Sequence, residues 1–334
     1  MSFAPSTLYI INRENEISMK IINAEQVHQN LNFEELIPLL KHSFSRPFSM
    51  PQRQVYSLAP EQSDNHDAFA LLPSWNEEVI GNKAFTYFPD NAQKHDLPGL
   101  FSKIMLFKRQ TGEPLALVDG TSVTYWRTAA ISALASQLLS REDSQHLMLF
   151  GTGNLASYLV KAHLTVRDIK QVTLWGRNAE KVAALITDFS ALYPAVTFKA
   201  SINVNIEVTS ADIICCATGA KTPLFDGNSV SAGCHIDCLG NHMTDARECD
   251  TTTVTRARVY VDSLTNTLNE AGELLIPIAE GAFNKDDIVG ELAELCKTPS
   301  LLRQSSDEIT LFKSVGTAIS DLVAAHSVVE KLAD

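Results

Sequence analysis

No stretch of this 334-residue chain approaches the roughly 20 consecutive apolar residues that cross a bilayer, so a helical membrane span is not expected. Positive charge is also short. Lys and Arg number 27 against 39 Asp and Glu, a formal charge of −12, whereas proteins that follow a phosphate backbone present a basic face. Neither nucleic acid nor membrane is therefore an expected partner. Internal repeats and low-complexity linkers are missing. The six cysteines show no disulfide framework, which agrees with a reducing, cytoplasmic compartment. Cys234, Cys238 and His242 first look like metal ligands. If Cys234 to Cys238 is a strand, its ends lie roughly 13 Å apart at about 3.3 Å per residue. Zinc holds its sulfur ligands at about 2.3 Å, so the two read as buried thiols and no metal is expected.

What is present fits a folded enzyme. Hydrophobic residues make up 45% of the chain, and its length suggests about two domains around sizeable cores. One segment carries the most information. The apolar run Leu147 to Phe150 reads as a buried strand and ends in Gly151-Thr152-Gly153-Asn154-Leu155-Ala156, a Gly-x-Gly-x-x-Ala turn. An amphipathic helix pattern follows through Leu155, Leu159, Val160 and Leu164. In a strand–turn–helix setting the first glycine permits the tight turn, and the second lets backbone approach a pyrophosphate. The small third residue lets helix pack on strand, while the helix N-terminus offers N–H groups and positive dipole.

Around this turn the chain alternates strand and helix. Candidate strands are Leu147–Phe150, Val172–Trp175, Ile213–Ala217, His235–Leu239 and Val259–Val261, an alternation expected of a parallel, doubly wound Rossmann sheet. The fold class expected is thus α/β: that sheet plus an α+β N-terminal domain completed by the C-terminal helix. Residues 1–18 read as a peripheral extension. Residues 19–125 together with 305–334 form the expected substrate domain, and 126–304 the expected dinucleotide domain. Within the first, one helix is expected from Glu25 to Phe44, and a hairpin runs Lys103–Lys108, Thr111-Gly112-Glu113, Leu115–Asp119. The last helix, with Ile319, Leu322, Val323, Val329 and Leu332 apolar, is expected to return to the first domain and close the cleft.

Cofactor choice follows from the tip of the second strand. An acidic residue there would bond the ribose hydroxyls of NAD. The chain instead reads Trp175-Gly176-Arg177-Asn178, with no carboxylate and with Arg177 placed to welcome a 2′-phosphate. NADPH is the expected cofactor, with NADH a secondary donor.

A resemblance then becomes specific. Gly112-Glu113-Pro114-Leu115-Ala116-Leu117-Val118-Asp119-Gly120, followed by Thr124 and Arg127-Thr128-Ala129-Ala130, resembles the signature of the ornithine cyclodeaminase/mu-crystallin family. The likeness continues through Gly151–Ala156, Ala217-Thr218-Gly219, Gly240 with Glu248 eight residues on, and Thr310 to Gly316. It covers nearly everything from Met19 to the C-terminus. It implies a homodimer formed by the N-terminal domains, with substrate held between that domain and the nicotinamide. Cofactor contacts are then expected from Arg127, Thr128, Gly151, Thr152, Gly153, Asn154, Leu155, Ala156, Gly176, Arg177, Asn178, Ala217, Thr218 and Gly240.

The resemblance also implies that two arginines and a lysine hold the substrate carboxylate, here Arg53, Lys83 and Arg127. The physics agrees, since a planar guanidinium grips a carboxylate through two parallel hydrogen bonds and a lysine adds a point charge or a proton. Arg127 lies in an otherwise apolar helix pattern (Val123, Trp126, Ala130, Ile131, Leu134), where an unpaired charge is costly. It reads as a substrate clamp, a contact to cofactor phosphates, or both.

There is one departure. Ornithine cyclodeaminases carry a proton-accepting aspartate shortly after the glycine that ends the fifth strand, whereas here the matching position is His242. Asp245, three residues on, is expected to face elsewhere. The expected substrate is therefore a small cyclic imino acid, Δ1-pyrroline-2-carboxylate, reduced to L-proline, with the six-membered piperideine homologue (giving L-pipecolate) a second candidate. Lys83, His242 or water is the expected proton source. Ornithine cyclodeamination, alanine dehydrogenation and a non-enzymatic binding role like that of mu-crystallin stand as alternatives.

Overall fold

The computed structural model describes residues 19–58 and 66–333; the expected extension over 1–18 lies outside the described residues. The N-terminal half begins with β1 (Lys20–Ile22), α1 (Ala24–Asn30) and α2 (Phe33–Phe44). It continues with β2 (Gln54–Ser57), β3 (Ala68–Trp75), β4 (Val79–Tyr87), α3 (Asn91–Lys94), β5 (Leu100–Lys108) and β6 (Pro114–Asp119). The single helix expected from Glu25 to Phe44 is two. Asn32 sits in extended backbone and its side chain accepts the Glu35 amide hydrogen, capping a new helix where the first ends at Asn30.

These strands form one mixed sheet in the order β1-β6-β5-β4-β3-β2, antiparallel except where β1 joins β6. The β5–β6 hairpin turns at Gly112, whose φ of 74° is a left-handed conformation that a glycine adopts freely.

The 20-residue helix α4 (Gly120–Leu139), capped by Asp119, carries the chain into the second half. There follow β7 (His146–Phe150), α5 (Leu155–Val166), β8 (Gln171–Trp175), α6 (Ala179–Leu192), β9 (Thr197–Ala200), α7 (Val204–Ser210), β10 (Ile213–Cys216) and β11 (His235–Cys238). Then come α8 (Thr251–Arg256), β12 (Arg258–Val261), α9 (Leu264–Glu270), α10 (Gly272–Ala279), β13 (Ile288–Glu291), α11 (Leu292–Leu295), β14 (Thr310–Lys313) and α12 (Ala318–Lys331). The second sheet has eight strands in the order β13-β12-β14-β11-β10-β7-β8-β9, and every ladder is parallel. Both its faces are covered, so β7, β10, β11 and β14 are buried throughout.

The expected boundaries need two corrections. Residues from 305 do not all belong with the N-terminal half, because β14 pairs with both β11 and β12 inside the eight-stranded sheet. Its Thr310, Leu311, Phe312 and Lys313 are buried on both sides, a place that only a neighbour on each edge can satisfy. The boundary at 125/126 falls inside α4, whose continuous hydrogen bonding makes it one rigid rod shared by both halves. The chain therefore crosses between halves twice: at the start of α4, and at Ser314–Thr317, after which α12 packs on β3, β4 and β5 and against α4.

Candidate functional site

The sheet order places its switch point between β7 and β10. From β7 the chain winds outward to β8 and β9, then returns to β10 on the other side of β7. Ligands of doubly wound sheets bind outside the strand ends at such a point. Gly151, directly after β7, has a φ of 123°, and a Cβ there would come within 2.6 Å of the Ala217 carbonyl oxygen, directly after β10. Only glycine fits. Gly153 faces open space, where a Cβ would meet nothing within 4 Å. The first turn of α5 has no side-chain cap, and Asn154 instead donates to the Tyr125 hydroxyl on α4 at 3.1 Å. Bare helix N–H groups beside an open glycine suit a pyrophosphate, so the residues present fit a dinucleotide. Thr152 and Leu155 flank this opening half-buried, and Ala156 is buried against the sheet.

Other expected cofactor residues shape the crevice in different ways. Gly176 packs on Thr152, leaving 2.6 Å between its would-be Cβ and that threonine's methyl carbon. Arg177 is exposed at the end of β8, and it has no ion-pair partner among the described residues. The Asn178 side chain caps α6 by accepting the Lys181 amide hydrogen at 2.9 Å. The amide hydrogens of Thr218 and Gly240 are both taken by Glu248, at 2.6 and 2.8 Å, so these residues form wall rather than donors. Thr128 sits half-buried on α4 beside Arg127.

The three expected carboxylate-binding cations converge at the second chain crossing. Lys83, on the inward face of β4, is 4% exposed and Arg127, on α4, 8%. One oxygen of Asp321 on α12 holds both: Lys83 Nζ at 2.9 Å and Arg127 Nε at 3.0 Å. Lys83 also donates to Thr124 Oγ1 at 2.6 Å. Arg53 Nη2 donates to the carbonyls of Val315 and Gly316 at 3.0 and 2.9 Å, while its Nε faces Glu270 at 3.1 Å. Gly316 is the pivot, since a Cβ there would lie 3.0 Å from Arg127 Nη1. Asp262 holds this loop open by accepting from Ser314 Oγ and from the amides of Val315 and Gly316. Burial lowers the Lys83 pKa to about 8 even though Asp321 pushes it back up.

Residues 18–334 match the model of the ornithine cyclodeaminase/mu-crystallin family. The chain belongs to that family. It is 92% identical over 316 residues to a Δ1-pyrroline-2-carboxylate reductase of Colwellia psychrerythraea, a match covering 95% of this chain and all of that one. Its fold superimposes on Thermococcus litoralis Δ1-pyrroline-2-carboxylate reductase in complex with NADH and L-proline, with a TM-score of 0.87, 30% identity, and coverage of 94% and 98% of the two chains. An archaeal alanine dehydrogenase dimer with bound NAD shares the fold at 23% identity and a TM-score of 0.86, covering 94% and 96%.

His242 lies on the loop after β11, where desolvation by the surrounding protein, with Lys313, Arg53 and Arg127 facing it, pushes its pKa down to about 3. The imidazole is neutral at physiological pH, so it is not the imidazolium acid that an ordinary histidine supplies. Asp245 is exposed.

Several residues that build the site are not legible as such in the sequence. Asp321, Glu270 and Asp262 are the counter-ions and anchors just described. Glu273 pairs with Lys313 at 2.9 Å, both fully buried, and Lys313 also donates to the Asn241 carbonyl at 2.8 Å beneath the loop bearing His242. Burial pushes the Glu248 pKa up to about 8. The available signal is a charge inside an apolar stretch. Asp321 lies among Ala318, Ile319, Leu322 and Val323, the mirror of Arg127 on α4. Among the described residues, His163, Cys215 and Asp237 bring ligand-type atoms within 4.8 Å of one another, all three buried.

Proposed function

We propose that this chain is an NAD(P)H-dependent oxidoreductase that reduces Δ1-pyrroline-2-carboxylate to L-proline, with the six-membered homologue a second substrate. The observation that carries this reading is the charge balance of the cluster beside the glycine crevice. Arg53, Lys83 and Arg127 are three cations brought together there, and Lys83 and Arg127 share the single carboxylate of Asp321, so that pair keeps one positive charge in excess for a monocarboxylate. Arg127 and Arg53 grip the carboxylate and orient the ring, and this positioning is the main catalytic contribution of the chain's own residues. A reduced nicotinamide held in the glycine crevice would supply the hydride that the imine carbon needs. Lys83, with its pKa near 8, is protonated at neutral pH yet able to release a proton, and it serves the imine nitrogen better than a neutral His242.

NADPH is the preferred donor in this reading and NADH the second, because the β8 tip carries the unpaired Arg177 and no carboxylate. A homodimer is supported by the uncovered face of the six-stranded sheet. Its register lines Tyr56, Phe69, Thr86 and Phe101 in one row, and Ile21, Leu117 and Met105 in another, with Ile21 75% exposed. Six free cysteines favour the cytoplasm.

The test is oxidation of the reduced nicotinamide when freshly generated Δ1-pyrroline-2-carboxylate is added to the pure protein, with chiral analysis of the proline formed. Proline made from ornithine with no reduced cofactor added would overturn this reading in favour of cyclodeamination. Cofactor binding with no turnover of any imine would favour a binding protein.

A further inference from the structure

We propose that Asp321 is a positioning residue of the reaction: it draws Lys83 and Arg127 together and keeps Lys83 charged. This rests on the reductase reading above and names a part of its machinery that contacts neither substrate nor cofactor.

Three observations converge on it. Asp321 stands on α12, whose chain has just returned from the eight-stranded sheet, and it reaches a strand (Lys83) and a helix (Arg127) that arrive from elsewhere. Both cations meet the same oxygen, Oδ1, so their separation and direction are set by one atom. The other oxygen, Oδ2, is buried and accepts no hydrogen bond among the described residues. A carboxylate kept only for packing would ordinarily have both oxygens satisfied. Burial opposes its ionisation, but Arg127 and Lys83 outweigh it and hold the carboxyl below its ordinary range.

The electrostatics around Lys83 make the role necessary. Among the described residues, the other charged groups that chiefly shift it are cations: Arg127 from α4 and Arg53 from the segment before β2, both of which lower its pKa on top of the larger effect of burial. Thr124 supplies only a hydroxyl. Among the described residues, Asp321 is the group that opposes these effects. Without it, two like charges would repel inside the protein and Lys83 would lose its proton within the working pH range.

Removing the charge has two opposed consequences. The pocket becomes more positive, which favours a carboxylate, while the two cations lose their shared anchor, which misorients it. The expected signature of Asp321→Asn is therefore a fall in kcat of about 10- to 100-fold with substrate KM changed by less than about fivefold. The alkaline limb of kcat/KM, set by Lys83, moves to lower pH by about one unit. Titration of the substrate itself is common to wild type and variant and cancels in the comparison. Asp321→Glu keeps the charge one methylene further out, so it restores the limb while leaving kcat depressed.

The experiment measures pH profiles of wild type, Asp321→Asn and Asp321→Glu. Rates are normalised to sites counted by NADPH binding, and L-proline affinity is measured by calorimetry. An Asn variant whose normalised kcat and alkaline limb equal those of the wild type overturns the proposal. So does a lowered kcat with an unmoved limb, the mark of a structural role. If neither variant yields NADPH-binding protein, Asp321 serves folding alone and the proposal also falls. A wild type that reduces no cyclic imine refutes the functional reading itself, which keeps the two failures distinct.

Discussion

Gly151 and Ala217 touch across the switch point of the eight-stranded sheet: a Cβ on the glycine would lie 2.6 Å from the alanine's carbonyl oxygen, at a φ of 123°. The contact brings the ends of β7 and β10 together and shapes the turn beside the uncapped start of α5. Gly151→Ala is therefore expected to strain the backbone and force that carbonyl away, lowering stability by about 1–3 kcal/mol and weakening the dinucleotide more than tenfold. Gly153→Ala is the contrast, because its Cβ meets no protein atom. It is expected to melt as the wild type does and still lose NADPH affinity. Thermal melts and fluorescence titrations with NADPH read both.

Arg127→Lys keeps a positive charge but loses the planar fork and the Nε bond to Asp321. The expected result is a fall in kcat/KM for the cyclic imine of about 100-fold. Arg127→Ala leaves Asp321 with Lys83 alone and is expected to lower stability as well, by about 3 kcal/mol. Steady-state kinetics and denaturant titration check the pair. Full activity in the alanine variant would remove Arg127 from the carboxylate clamp.

His242→Gln is expected to retain kcat/KM at neutral pH within about threefold, because the imidazole is already neutral there, with a pKa near 3. A loss of about 100-fold or more would show that the ring transfers the proton after all.

Asp237 offers a test of buried charge. Burial raises its pKa to about 8, so it stays protonated in the folded protein while an unfolded chain ionises near its ordinary value of about 3.9. Between those two values the folded state holds the extra proton, so this group's contribution to stability declines as pH rises through that window. Asp237→Asn removes the titration and is expected to raise the melting temperature at pH 8 by about 3 °C, with little change at pH 4. An equal effect at both pH values would point to packing instead.

The pattern of these residues shows what a linear reading can reach. The Gly151–Ala156 turn and the parallel strands around it are legible because each depends on residue type and close spacing, whereas Arg53 and Lys83 stand out only through the family resemblance and Arg127 also through the apolar helix pattern around it. β14 joins the eight-stranded sheet rather than the N-terminal half expected for residues from 305, because four buried residues far along the chain carry no mark of which sheet they join. The break between α1 and α2 was legible at Asn32 but masked by apolar positions that continue across it.

The counter-ions lay further out of reach. Asp321 pairs with residues 238 and 194 positions away, and nothing in the separate stretches says that they meet. His242 reads as an ordinary loop histidine until the fold sets Lys313, Arg53 and Arg127 before it. The amino-acid sequence alone thus determined the secondary-structure periodicities, the glycine turn and the supply of charged groups, since these are local properties of the backbone and side chains. Tertiary structure decided which charges became partners and which groups keep their protons, because Coulomb energy and desolvation depend on distance and burial in space, and those exist only once the chain has folded.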